Sequence, residues 1–413
     1  MEHASRAPWT GLVLSGGGAR GAYEAGVIRY LRDEMPPRVR AHMRFEVICG
    51  TSIGAVNSCF LAAYNHIPEA QGRILAETWQ RLRIDSIYKV GWQEIFNLPK
   101  FLLGSRGRGE LDEKAGPGRL GGLLNTSPLE QLVRRDIRWD NISANLASGD
   151  LKALALNATH IRSGNTHVFV QLASGTLPPW STDPRIEAHQ VEIGPNHALA
   201  SAAIPWLFPA VEIEGETYCD GALKLNTPIS PALRLGADRL LLIGLQSEGQ
   251  HNESTQKKAE RIDRYPSAAF LLGKILNALM LDQTEYDLKR LERFNHLLDI
   301  QKESFGPAFR TAFDQRMTTV RGAPYRKIDT LLIRPSEDIA QIAGRHLRIG
   351  SIVARAGGLV GSLLRRMGDM SEGQPTDLLS YLLFDGEFAT DLIRLGMHDA
   401  DAQRQKIIDF FST

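Results

Sequence analysis

FEVICGTSIGA, residues 45–55, decides the fold expected of this chain. Its first five residues are mostly apolar and favour a strand, and the run stops at Gly50. The residues that follow carry apolar side chains at helical spacing, so the sequence predicts a strand, a sharp turn and a helix. Ser52 lies on the turn between Gly50 and Gly54, where small flanking residues allow a strained backbone that points a serine hydroxyl out of the sheet. The plainer interpretation is that the two glycines only punctuate a strand-to-helix loop.

A second strand, turn and helix are predicted upstream. TGLVL, residues 10–14, has the apolar run of a short buried strand, and SGGGARGAYEAGV continues it with glycines and then apolar residues at helical spacing. Gly16, Gly17 and Gly18 supply consecutive backbone amides with no side chains in the way, close to the start of a helix. Such a loop suits a negatively charged oxygen.

Two functions fit this glycine loop, an oxyanion hole for acyl transfer and a phosphate cradle. The cradle has support because Gly16, Gly18 and Gly21 match the GxGxxG pattern. The serine turn that follows favours the oxyanion hole, since oriented amide donors usually accompany a serine nucleophile. We expect Arg20 to brace the loop rather than to touch substrate.

A third segment, YCDGALKLNTPI (residues 218–229), places Asp220 at the end of a predicted strand. Gly221 allows the chain to turn sharply there, so the carboxylate can approach the active edge of a sheet. An Asp-Gly pair is also common in ordinary turns, and alone it indicates no more than that.

The order of GGGARGAYEAGV (16–27), GTSIGA (50–55) and DGA (220–222) resembles the patatin-like family of lipid acyl hydrolases. ASAAIP and LFP, between the second and third motifs, add to the similarity, which covers roughly residues 9–245. The family more often has DGG, so Ala222 is a mild departure.

The resemblance implies a serine hydrolase that cleaves carboxylic ester bonds of phospholipids or lysophospholipids. Ser52 would attack the acyl carbonyl and Asp220 would take its proton directly, with no histidine between them. The oxyanion hole would come from the glycine amides, and neither a metal nor another cofactor is expected. The positions that support the motifs are Arg20, Gly21, Gly50, Gly54 and Gly221.

Three alternatives stay open. The glycine loop could belong to a module that binds an anion or nucleotide, with Ser52 incidental. The protein could be an effector-type phospholipase that is inactive until triggered. A catalytic triad would need a histidine after Asp220, and none of the candidates follows a strand end: His251, His296, His346 and His398. The upstream His160 and His197 are expected to be loop or core histidines.

Composition bounds the class of protein. Across 413 residues, 48 Lys and Arg face 47 Asp and Glu, and this balance argues against a global nucleic-acid-binding surface. Three cysteines form no CxxC pair, which suits a reducing compartment, and the opening MEHASRAPWT lacks the apolar core of a secretory signal. No apolar window is long enough to span a bilayer. We therefore expect a cytoplasmic protein that could contact a membrane peripherally.

We expect an α/β fold with a mostly parallel central sheet and helices on both faces over residues 9–245. Residues 246–413 are predicted to form a mostly helical extension packed on it, with an added strand near 327–334. The glycine-rich segment 105–118 could be a lid or an insertion loop without a role.

Substrate contacts are less clearly indicated. An acyl chain needs an apolar groove, which windows 101–103, 202–208 and 268–281 could line, although core packing explains them equally well. Segment 353–367, apolar with three arginines, could lie on an anionic membrane or form an ordinary packed helix. The sequence does not indicate an oligomeric state.

Overall fold

The computed structural model describes residues 7–88, 119–120, 122, 124–178, 180, 183–247, 284–321, 325–349 and 376–412. These residues form a ten-stranded sheet. Its strands are β1 (Thr10–Leu14), β2 (Val47–Thr51), β3 (Arg119–Leu120), β4 (Ala153–His160), β5 (Thr166–Leu172), β6 (Ile186–Gln190), β7 (Ala210–Ile213), β8 (Glu216–Asp220), β9 (Arg239–Ile243) and β10 (Asp329–Ile333).

Helices follow most of the central strands. In the described residues they are α1 (Ala22–Asp33), α2 (Pro37–Arg40), α3 (Ile53–Ala63), α4 (Pro68–Gln80), α5 (Ser127–Asp136), α6 (Trp139–Ser148), α7 (Pro195–Ser201), α8 (Ile229–Arg234), α9 (Thr284–Arg321), α10 (Ile339–Ile349), α11 (Thr376–Leu382), α12 (Gly386–Ala402) and α13 (Arg404–Ser412). The path of α9 breaks at Gly306, which has a φ of 69°. Short 3-10 turns cover Gly18–Gly21, Ile84–Ser86 and Gly221–Leu223.

The strand order is β10-β9-β1-β2-β4-β8-β7-β3, and β5 and β6 continue from β4. The neighbours from β10 to β4 are all parallel, as strand-to-helix units require, because a helix returns the chain to the same end of the sheet. Antiparallel pairing begins where β4 meets β5 and β8. The carboxyl ends of β1, β2 and β9 therefore lie at one edge of the sheet, where the glycine loop and the serine turn begin.

Both faces of the sheet are buried. Along β1, Leu12 and Leu14 belong to one core cluster while Val13 belongs to the other, as expected when successive side chains point to opposite faces. Helices α1, α3 and α12 cover the first face, and α8 packs on the second. The expected fold class, a mostly parallel central sheet with helices and a helical C-terminal region, is confirmed.

Strand β10 pairs in parallel with β9, so part of the C-terminal half completes this sheet. The division into units 9–245 and 246–413 stays a prediction. Among the described residues, no helix combines the length and apolarity that crossing a membrane requires. Several predicted features lie outside the described residues: the lid segment 105–118, the windows 101–103 and 268–281, the segment 353–367 and His251.

Candidate active site

Ser52 occupies a single-residue turn between the end of β2 and the start of α3. Its backbone has a φ of 55° and a ψ of −123°, which a residue with a side chain adopts only under strain of about 1–3 kcal/mol. The turn is very tight, since a Cβ added to Gly50 would lie 2.2 Å from the carbonyl oxygen of Gly54. A Cβ on Gly54 would lie 2.5 Å from the carbonyl oxygen of Leu14. The two glycines are therefore required by close backbone packing, and they hold Ser52 against the neighbouring strand ends.

A hydrogen-bond chain holds the strained turn in place. The amide of Ser52 donates to Ser201 Oγ at 2.9 Å, and Ser201 Oγ donates to the carbonyl oxygen of Asn157 at 2.7 Å. Thr51 Oγ1 also donates to Asn157 Oδ1, at 2.6 Å. Sequence reasoning missed both partners, although Ser201 lies in the ASAAIP motif as a lone hydroxyl among small apolar residues.

Asp220 reaches Ser52 because β2 and β8 lie end to end along one edge of β4. Thr51 at the end of β2 pairs with Asn157, and Asp220 at the end of β8 pairs with the next residue, Ala158. β8 runs antiparallel to β4, so its carboxyl end points at that of β2. As a result, Ser52 Oγ donates a hydrogen bond of 2.6 Å to Asp220 Oδ2.

The carboxylate of Asp220 is completely buried. The amide of Ala222 donates to Oδ1 at 2.8 Å, which fixes the carboxylate and leaves Oδ2 facing Ser52. Burial raises the pKa of Asp220 to about 7, although the hydrogen bonds from Ser52 and Ala222 partly oppose the rise. Gly221 is needed at this turn because a Cβ there would lie 2.1 Å from the carbonyl oxygen of Asn157. The result is a carboxylate more basic than an ordinary aspartate and in contact with a serine hydroxyl.

The glycine loop approaches Ser52 from the end of β1. A Cβ added to Gly16 would lie 3.1 Å from the Cβ of Ser52. The amide of Gly16 donates to the carbonyl oxygen of Asn226 at 3.2 Å, so it is already used within the protein. Within the described residues the amides of Gly17 and Gly18 have no such acceptor. Of the three donors expected from the sequence, these two therefore remain the candidates for an oxyanion hole.

Arg20 and Gly21 fix the shape of this loop. The buried Arg20 donates through Nε to Ser380 Oγ at 2.9 Å, and its guanidinium lies 4.1 Å from the centre of the Tyr381 ring. Gly21 allows the loop to pack on the start of α3, where an added Cβ would lie 2.7 Å from Ile53 Cγ1. Arg20 therefore braces the loop against α11, as expected, but no sequence pattern indicates its partners.

The candidate triad histidines that the structure describes lie elsewhere. His346 and His398 interact with Asp391 and Asp399, and His296 is exposed on α9. Upstream, His160 contacts Ser163 through Nδ1 and Glu216 through Nε2. His197 Nδ1 accepts a hydrogen bond from the amide of Gly194. In the described part of the chain, no histidine contacts the carboxylate of Asp220, whose oxygens are bonded to Ser52 and Ala222.

A family model described as patatin-like phospholipase matches residues 12–233, which is more than half of the chain. The chain belongs to the patatin-like phospholipase family. The resemblance predicted from the glycine, serine and aspartate motifs is thereby confirmed. The family is one of lipid hydrolases, and it is the membership of this chain in that family that the match establishes.

One curated relative of this chain is named cGAMP-activated phospholipase and comes from Pseudomonas aeruginosa (strain BWHPSA011 / Pa011). The two proteins are 29% identical over 218 residues, which cover 52% of this chain and 53% of the relative. The match thus spans about half the length of the curated relative.

Solved structures give weaker likenesses. VipD from Legionella pneumophila is 12% identical, with a TM-score of 0.29; the match covers 94% of this chain and 67% of that chain. The heterodimeric ExoU–SpcU complex from the type III secretion system of Pseudomonas aeruginosa gives 16% identity and a TM-score of 0.29, over 97% of this chain and 76% of that chain.

Proposed function

We propose that this patatin-like phospholipase hydrolyses carboxylic ester bonds of phospholipids or lysophospholipids, with Ser52 as nucleophile and Asp220 as general base. The observation that carries the proposal is the 2.6 Å hydrogen bond from Ser52 Oγ to Asp220 Oδ2. Its direction matches the proton transfer that activation of the serine requires.

In the first half of the reaction, Ser52 Oγ attacks the acyl carbonyl carbon and its proton moves to Asp220 Oδ2. A carboxylate with a pKa of about 7 is a much stronger base than an ordinary aspartate, which favours this step. The developing oxyanion would accept hydrogen bonds from the amides of Gly17 and Gly18. One such donor commonly contributes about 3 kcal/mol to stabilising the transition state. Collapse of the tetrahedral intermediate expels the lysophospholipid alkoxide from a phospholipid, or the glycerophosphodiester alkoxide from a lysophospholipid. The alkoxide takes the proton from Asp220.

In the second half, water attacks the acyl group on Ser52. Asp220 accepts the proton of the water and returns it to Ser52 Oγ as the fatty acid leaves. The same carboxylate thus serves both halves, and no histidine, metal or other cofactor takes part in either.

The proposal is tested by incubating the purified chain with mixed phospholipid vesicles and measuring released fatty acids by mass spectrometry. Wild-type protein and Ser58→Ala should release fatty acid, whereas Ser52→Ala should not. Ser58 is a matched control, since it is another buried serine, six residues along on α3. Release of fatty acid by Ser52→Ala at the wild-type rate would refute Ser52 as the nucleophile.

A fluorophosphonate probe separates this proposal from an anion- or nucleotide-binding module, because the probe reacts only with an activated serine. We expect covalent labelling of Ser52 in the wild type and loss of labelling in Asp220→Asn. A protein that binds nucleotide but whose Ser52 never reacts would favour the binding module.

A ligand-triggered phospholipase is a second candidate, favoured by burial of the dyad. Ser52 is 2% exposed and Asp220 is 0% exposed, and this burial favours a site that opens in response to a ligand. The name of the relative, cGAMP-activated phospholipase, suggests a cyclic dinucleotide as the trigger. The test compares the rate of Ser52 labelling with and without cGAMP, using linear dinucleotide as the control. An equal rate under all three conditions would exclude this trigger.

A further inference from the structure

A second cluster of reactive side chains lies on the neighbouring part of the sheet, on strands β5 and β6. His167 on β5 pairs in register with Glu187 on β6. His189 is two residues beyond Glu187, so its side chain lies on the same face of the sheet. One ligand atom from each of the three side chains lies within 4.8 Å of the others.

The two histidines present nitrogens that are buried and unsatisfied. His167 Nε2 and His189 Nε2 have no hydrogen-bond partner among the described residues. His167 as a whole is 6% exposed, and its Nε2 lies 3.7 Å from Glu187 Oε2, beyond hydrogen-bond distance. A buried polar atom without a partner costs about 1–3 kcal/mol, so such a pair calls for a physical reason.

His160 shows how an ordinary histidine is accommodated in the same place. Its ring lies 4.7 Å from the ring of His167, centre to centre. Its Nδ1 contacts Ser163 Oγ at 2.8 Å and its Nε2 contacts Glu216 Oε2 at 2.8 Å. Both nitrogens of His160 are therefore satisfied by the protein, whereas each histidine of the adjacent pair keeps one nitrogen without a partner in the described part of the chain.

We propose that His167, Glu187 and His189 bind one divalent transition-metal ion of the zinc class. Two imidazoles and a carboxylate are a ligand set that such ions take in proteins, usually with a further position open to water. Within the described residues this is the one group of three or more histidine, cysteine or acidic side chains that close together.

The residues around the cluster fit that role. When Nε2 of His167 binds a metal, Nδ1 carries the proton and needs an acceptor. The hydroxyl of Tyr218 lies 3.2 Å from His167 Nδ1 and can accept this hydrogen bond. Tyr218 would thereby fix the tautomer and the ring orientation.

His167 and Glu187 lie close to the spacing of two ligands on one ion. Ligands about 2.1 Å from a tetrahedral ion lie about 3.4 Å from one another, and His167 Nε2 and Glu187 Oε2 are 3.7 Å apart. Glu187 is exposed, so its carboxylate can shift and the ion can enter from solvent. β6 is the last strand on the side of the sheet that continues from β4 through β5. A bound ion would link β6 to β5. The site lies on the face of the sheet that bears Tyr218 and Asp220, but outside the hydrogen bonds of the dyad.

The test uses the full chain purified without a polyhistidine tag. Zinc content is measured by mass spectrometry, and affinity is measured by competition with a chromophoric chelator. We expect about one equivalent of Zn²⁺ in the wild type, and a Kd at least tenfold weaker in Glu187→Gln and in His189→Gln. His346→Gln is the matched control, because it removes a buried histidine beside a single carboxylate and should leave affinity unchanged.

Tyr218→Phe keeps all three ligands and should weaken Zn²⁺ binding by about tenfold, as loss of a hydrogen bond to a ligating histidine commonly does. Circular dichroism checks that each variant is folded, and Co²⁺ in place of Zn²⁺ reports the ligand field by visible absorption. Equal Zn²⁺ affinity in wild type and both ligand variants would overturn the proposal, as would the absence of saturable binding to the wild type. Labelling of Ser52 by the fluorophosphonate probe, measured after chelation of metal, does not depend on whether Zn²⁺ binds to His167, Glu187 and His189. Failure of the metal proposal would therefore leave the proposed hydrolysis untouched.

Discussion

Replacement of the base by its uncharged counterpart should abolish activity and stabilise the fold. In Asp220→Asn, the amide oxygen can accept the amide of Ala222 and the amide nitrogen can donate to Ser52 Oγ, so both hydrogen bonds persist. Only the charge is lost. Folding raises the pKa of this carboxyl from 3.8 to about 7, which corresponds to a cost of about 4 kcal/mol for the ionised form.

That cost depends on pH in a defined direction. The folded state holds the proton of Asp220 more tightly than the unfolded state, so wild-type stability falls as pH rises from about 4 to about 7 and then levels. The side-chain amide of the Asp220→Asn variant does not titrate in this range. Between pH 5 and pH 8 the stability of Asp220→Asn relative to wild type should therefore rise by about 2–3 kcal/mol.

Urea unfolding followed by tryptophan fluorescence at the two pH values measures this difference. Ser52→Ala is the control, because it removes the nucleophile but keeps the buried carboxylate of Asp220. Its stability should fall between pH 5 and pH 8 at least as much as that of the wild type, since the hydrogen bond from Ser52 opposes the rise in the pKa of Asp220. If the stability of Asp220→Asn relative to wild type stayed constant or fell between pH 5 and pH 8, the raised pKa and its role in the base would both be wrong.

Three further predictions concern activity and the supports of the site. The kcat/KM for ester hydrolysis should rise with pH to a plateau, with a midpoint near pH 7, because Asp220 must be ionised to accept the proton. A midpoint near pH 4 would contradict the raised pKa of Asp220. Gly221→Ala should lose about 1–3 kcal/mol of stability and most probe labelling, because its Cβ would lie 2.1 Å from a carbonyl oxygen of β4. Gly194→Ala is the control and should lose neither, because its Cβ would lie in open space. Arg20→Lys should lower the free energy of unfolding by about 1–3 kcal/mol and slow labelling of Ser52, since a lysine cannot reproduce the hydrogen bond and ring stacking of Arg20. The control is Arg73→Lys at an exposed position, which should change stability by less than about 0.5 kcal/mol; equal effects of the two substitutions would rule out the bracing role.

The sequence could predict the parts of the site that rest on local signals. The apolar strand before Gly50 and the helical spacing after it place Ser52 on a turn, and Gly221 places Asp220 at a strand end. Their meeting does not follow from parallel pairing, because β8 runs antiparallel to β4 and its carboxyl end faces that of β2.

The remaining features depend on contacts between distant segments. Ser201 supports Ser52 from 149 positions along the chain, and Ser380 supports Arg20 from 360 positions. The use of the Gly16 amide by Asn226 depends on how the loop after β8 packs, which no motif records. The histidines of β5 and β6 are likewise separated by a loop, and their shared face appears only from the register of the two strands.

The contact between Arg20 and α11 has a practical consequence for work on this protein. Residues 12–233 carry every residue proposed to act on the ester, yet Ser380, Tyr381 and β10 all lie beyond them. A truncated form ending near 233 would lack β9 and β10 together and would leave Arg20 without its partners. Recombinant fragments designed from the family boundaries alone should therefore be insoluble or inert, and drug screening or crystallisation calls for the longer polypeptide.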